Sequence, residues 1–95
     1  MLAEPIPLNH SFEARIGVEV KGELWPCIEM PGSVDFFGTG KAVKVEGTLD
    51  GQEFAGTFLP TGTGGHMLSL NQKIRKQIGK GMGDNVKVAL TSRLS

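Results

Sequence analysis

Residues 43–58, VKVEGTLDGQEFAGTF, decide the fold. Val43, Val45, Gly47 and Leu49 alternate with Lys44, Glu46 and Thr48. That period of two belongs to a strand with one buried face. Asp50-Gly51 then interrupts the run, and Phe54, Gly56 and Phe58 resume the alternation. An Asp-Gly pair between two such runs favours a two-residue turn of type I′, in which both central residues need positive φ. If Asp50-Gly51 is the loop, Leu49 pairs with Gln52, Gly47 with Phe54, Val45 with Gly56 and Val43 with Phe58. Each glycine then lies opposite a bulky residue that can cover the bare backbone. Register and hydrophobic face agree, so the segment is an antiparallel hairpin.

Upstream, Phe12, Ala14, Ile16, Val18 and Val20 alternate with Glu13, Arg15, Gly17, Glu19 and Lys21, which predicts one long strand. Lys21-Gly22-Glu23 reads as a turn and Leu24 to Met30 as a second strand. Pro26 cannot donate to a ladder, so an edge or bulge is expected there. Pro31 to Lys41 reads as a loop with a short structured piece about Val34–Phe37. Downstream, residues 60–65 form a glycine-rich connector and His66 to Leu70 a short strand. Ser69 and Gln72 fit a capping box. Leu70, Ile74 and Ile78 recur at helical spacing, and Gly79 or Gly81 can end the helix. Gly83-Asp84 turns the chain into a last strand, with Val86, Val88 and Leu90 on one face. The expected fold is mainly β: a small closed or split six-stranded, antiparallel-rich barrel with one short α-helix at about residues 70–79. A single domain spans residues 1–95, with its core at about 11–91.

Ninety-five residues support one modest core. Fourteen glycines disfavour a helical bundle and suit turns and tight strands. No apolar run approaches the roughly 18–20 residues of a membrane helix, so no membrane role is expected. Ten Lys+Arg balance ten Asp+Glu, so any nucleic-acid role has to rest on a local patch. The single Cys27 excludes an internal disulfide and a cysteine-built zinc site. A reducing compartment follows most simply, and an N-terminus without a basic, then apolar, stretch does not resemble a signal peptide. Cytoplasmic localisation is therefore expected.

The candidate chemistry is sparse. The loop PTGTGGH can offer backbone N–H groups to an anion, but it lacks the Lys-Ser/Thr of a phosphate loop and precedes a strand, so a plain connector is favoured. His66 opens a strand, where a hydrogen-bonded structural role competes with ligand binding. Cys27 with His66 makes a thiolate pair conceivable, but Cys27 lies in an apolar strand, where free cysteine is usually buried. Asp50 and Asp84 follow turn chemistry, their carboxylates accepting from nearby amides. Lys73, Arg75, Lys76 and Lys80 put four cations within eight residues, either a phosphate-contacting face or a solvated helix end favoured by its dipole. Phe36 and Phe37 are adjacent, so on a strand one of them would face out as a binding contact or as a lid on the barrel end. No metal site, cofactor or catalytic residue is expected.

The run Trp25-Pro-Cys-Ile-Glu-Met-Pro31, then residues 45–51 (VEGTLDG), Phe58-Leu-Pro60, Gly65-His66, the helix 70–79 and residues 83–88 (GDNVKV) resemble the bacterial family called domain of unknown function 1905. The resemblance runs from about Phe12 to Leu90. It implies a small β-barrel grouped with the double-split barrels of AbrB/MazE-type DNA-binding proteins, and it implies no assigned reaction. Taken together, the expectation is a non-enzymatic module for a partner protein or small ligand, with a homodimer through an exposed strand edge as one form of it. The alternative is an AbrB/MazE-like nucleic-acid binder using the basic helix. The candidate binding surface is His66, Lys73, Arg75, Lys76, Lys80, Phe36 and Phe37.

Overall fold

The structure, a computed structural model, describes residues 5–62 and 65–95. Its elements run β1 (Ile6–Arg15), β2 (Val18–Val20), β3 (Glu23–Trp25), β4 (Cys27–Met30), α1 (Ser33–Phe37), β5 (Val43–Leu49), β6 (Gln52–Pro60), β7 (His66–Ser69), α2 (Gln72–Ile78) and β8 (Asn85–Arg93).

The β5–β6 hairpin forms in the expected register, from Leu49 opposite Gln52 to Val43 opposite Phe58. Asp50 and Gly51 take φ of 49° and 83°, as a type I′ turn requires. The other edge of β5 pairs with β8, and the ladder shifts between Glu46 and Gly47 because Thr91 is an extra residue on β8. This crowding explains Gly47 better than its bulky partner does. A Cβ there would stand 2.0 Å from the Ala89 carbonyl oxygen.

The main sheet has the order β1-β8-β5-β6-β7-β4, and every pair in it is antiparallel. It curls into a half-barrel around Ile16, Ile28, Val43, Val45, Leu49, Phe58, Leu70, Val86, Val88 and Leu90, all fully or almost fully buried. The outer strands β1 and β4 approach each other but share no ladder. Just past the end of β1 the Gly17 N–H donates to the Cys27 carbonyl at 2.8 Å, and α1 also spans the seam. The Phe36 ring of α1, which follows β4, lies 4.4 Å from the His10 ring of β1.

Four expectations change. The strand expected from Phe12 starts at Ile6 and stops at Arg15. At Ile16-Gly17 the chain exchanges partners: Ile16 bonds Asp84 and Gly83, Gly17 bonds Cys27, and β2 then pairs with β3 in a separate ribbon. Alternation survives the exchange, which is why the sequence does not betray it. The strand expected over Leu24–Met30 is cut at Pro26 into β3 and β4, as a residue without an N–H demands. The structured piece near Val34 is the short helix α1, held between Gly32 (φ 66°) and Gly38 (φ 71°). Finally, α2 is capped by Asn71, whose side chain accepts from the Ile74 N–H at 2.9 Å, and Ser69 belongs to β7 instead. Leu70 is fully buried but precedes the helix, while Ile74 and Ile78 are partly buried against the core. Gly79, at φ 67°, ends the helix as expected.

Candidate functional site

The seven residues singled out from the sequence separate into an aromatic group at the seam and a basic group on α2. His66 opens β7 opposite Met30 and Pro60 and is fully buried. Its Nε2 lies 2.8 Å from the Lys41 carbonyl and its Nδ1 2.7 Å from the Ser33 hydroxyl. A carbonyl only accepts, so Nε2 carries the hydrogen, and in the neutral ring Ser33 donates to Nδ1. His66 thus ties α1 and the chain around Lys41 to β7. It is not on a surface, because both ring nitrogens are used inside the fold.

Phe37 is likewise interior. It is buried, edge-on to His66 at 5.5 Å and 5.8 Å from Phe58. The Arg93 guanidinium sits 5.8 Å from its ring and donates to its carbonyl at 2.7 Å. A helix turns 100° per residue, so α1 sends the neighbouring Phe36 the other way, half-exposed against His10. One of the two phenylalanines does face out, through a helix rather than a strand.

The basic group is not a uniform face. Arg75 is partly buried and donates from Nε to the Leu70 carbonyl at 3.1 Å. Lys80 lies beyond the helix and contacts the Asp50 carboxylate at 2.6 Å and the Asn85 carbonyl at 2.5 Å. Lys73 and Lys76 remain exposed.

Of the two turn acids only Asp84 behaves as expected, while the Asp50 carboxylate turns to the distant strand β8 instead. Asp84 accepts from the Gly81 N–H at 2.9 Å. Asp50 accepts from the Lys87 N–H at 2.8 Å, and Lys80, with that amide, holds its carboxyl below the usual range. Cys27 is paired with Ser69, three ladder positions from the Met30–His66 pair, so the two do not form a nucleophilic couple. Burial pushes its thiol up, partly offset by a hydrogen bond with Ser69. Of the glycine-rich connector, residues 63 and 64 lie outside the described residues, as does Glu4. Its described ends meet through the Thr61 N–H and the Gly65 carbonyl at 2.9 Å.

Two surfaces lie outside the seven candidate residues. Leu24 is 61% and Trp25 48% exposed on the β2–β3 ribbon. Leu24 leans over Gly17, and the Gly83 bond to Ile16 brings the loop carrying exposed Met82 to the same corner. The second surface is the outer face of the sheet. It holds an open groove of about 480 Å³ lined by Glu46, Thr48, Glu53, Ala55 and Thr91. Thr48 is shared with a neighbouring groove of about 440 Å³, which reaches Glu13, Asp50 and Lys87. The signal for the grooves was present: Ser11, Thr48, Ala55, Ala89 and Thr91 are small residues at outward strand positions.

Among curated proteins, none gives a significant match to the sequence. The family model described as Domain of unknown function (DUF1905) matches residues 12–90, from within β1 to within β8, and so takes in the hairpin, the buried histidine and both helices. The chain belongs to the DUF1905 family.

Proposed function

We propose that this domain is a non-enzymatic interaction module that engages a partner protein through the β2–β3 ribbon. One observation carries the reading: a Leu-Trp pair, 61% and 48% exposed, on a ribbon that pairs with nothing but itself. Only three residue pairs make up the ribbon, from Val18–Trp25 to Val20–Glu23. Such a short hairpin has little stability of its own and rests on what it packs against. Large exposed apolar side chains grouped at one corner mark interaction surfaces, and tryptophan is enriched among residues that dominate binding energy.

A nucleic-acid role would have to rest on Lys73 and Lys76, since Arg75 and Lys80 are engaged within the fold. That narrows the charge such a contact could neutralise.

The test is a photo-crosslinking residue at position 24 in cells that make the protein. The expected result is one discrete protein adduct that disappears when Trp25→Ser is added. Thermal unfolding should place that variant within about 0.5 kcal/mol of the parent, as for surface positions. A diffuse set of adducts matching that from the exposed Lys41 would overturn the reading. So would a stability loss of several kcal/mol, which would make Trp25 part of the fold.

A further inference from the structure

We infer that helix α2 and the groove on the outer face of the β5–β6 hairpin are two halves of one contact, so that a second copy of this chain docks its α2 into the groove. The first half is acidic. Glu46 lies opposite Ala55, and Glu53 opposite Thr48, so the two carboxylates are diagonal neighbours across the hairpin. Diagonal positions stand about 7–8 Å apart. Between and beside them Thr48, Ala55 and Thr91 are short, which opens the groove of about 480 Å³.

The second half is basic. Lys73 and Lys76 are exposed on α2, three residues apart, so they share one helix face with Cβ atoms about 5–6 Å apart. That spacing lets two lysine stems reach the two glutamates with no change in either backbone. Residues 71–81 carry no acid, so nothing on the helix competes for the lysines. Among the described residues Lys80–Asp50 is the only ion pair, and none of the four charges invoked has a partner within 4.0 Å. The chain as a whole carries no net charge, so its charges are separated rather than in excess. A neutral chain with an acidic groove and a basic helix finds the complement of each on a copy of itself.

A single docking of helix into groove is head-to-tail, and each docked pair leaves one groove and one helix free. Exposed ion pairs are individually weak and screened by salt. The association is therefore weak, concentration-dependent and lost at high ionic strength. It does not involve Leu24 or Trp25, so its failure would leave the ribbon reading standing.

Sedimentation equilibrium of the full chain tests it, at low and at high salt. At low salt the weight-average mass should rise with concentration, and at high salt it should return to that of one chain. Lys76→Glu and Glu53→Lys should each weaken association by about tenfold, since each replaces an attraction with a repulsion. Mixed in equal amounts, the two variants should recover association that neither shows alone, because the intact helix of one meets the intact groove of the other. Circular dichroism confirms that both fold, and Lys73→Glu with Glu46→Lys supplies a second set. A wild-type chain that stays single at low salt overturns the inference. So does a mixture of folded variants that stays single, or an association that survives high salt.

Discussion

Gly47 shows how a single missing methyl group can fix the arrangement of two strands. Its φ is ordinary, so no turn requires glycine there. Strand β8 requires it, because the Ala89 carbonyl oxygen occupies the place a Cβ would take, 2.0 Å away. Gly56 looks equivalent in sequence, being also a glycine opposite a bulky residue, but its added Cβ would meet the end of the Leu68 side chain at 2.9 Å. Backbone cannot step aside as a leucine methyl can. Gly47→Ala should therefore cost at least the roughly 1–3 kcal/mol typical of overpacking, and Gly56→Ala should fall at or below the low end of that range. Urea unfolding followed by circular dichroism checks the order, and equal losses would contradict it.

At the scale of elements, α2 is held mainly from outside. It has no fully buried residue and rests on Ile74, Ile78, the Asn71 cap and the ties of Arg75 and Lys80. Asn71→Ala should cost about 1 kcal/mol and speed amide exchange at Ile74, whose N–H the cap accepts. Ser69→Ala should leave that amide unchanged, and hydrogen exchange read by NMR separates the two. Sequence alone favoured Ser69, because serine and asparagine both suit a cap and Gln72 completed a box with the former. The choice is made elsewhere: Ser69 is committed to the β7 ladder opposite Cys27. The same logic runs through the rest of the chain. The β5–β6 hairpin was legible to the residue because its turn and both faces are local. The partner exchange at Gly17 was not, since alternation continues through it. The helix α1 was too short, at five residues, to show a period. Phe37, read as a surface candidate, is interior, and Trp25, read within the strand over Leu24–Met30, is half-exposed on the ribbon, because exposure depends on the seam and the ribbon, which no local pattern records.

For the whole molecule, Asp50 joins parts far apart in sequence. Its carboxylate receives the Lys87 N–H of β8 and contacts Lys80 beyond α2, while its own backbone closes the β5–β6 turn. Its carboxyl titrates below the ordinary 3.8, first because of Lys80 and then because of the Lys87 amide. A depressed folded value means that the ionised form is favoured by folding. That stabilisation is complete above the unfolded value of 3.8 and fades as pH falls through the lower folded value. Near neutrality Asp50→Asn should be less stable than the parent by about 1 kcal/mol or less, as for an exposed pair. The gap should close only below pH 3.8, and urea midpoints between pH 7 and 3 would show it. A gap unchanged at pH 3 would mean that the charge is irrelevant.

The ribbon also governs how this protein looks to light. The chain has one tryptophan and no tyrosine, so its near-ultraviolet emission comes overwhelmingly from the indole of residue 25. That indole sits outside the main sheet on three residue pairs. Emission will therefore follow fraying of a small projecting hairpin, while the far-ultraviolet signal follows the half-barrel. The two unfolding curves will part even if the body melts in a single cooperative step, and the mismatch is a property of where the chromophore stands rather than of a folding intermediate.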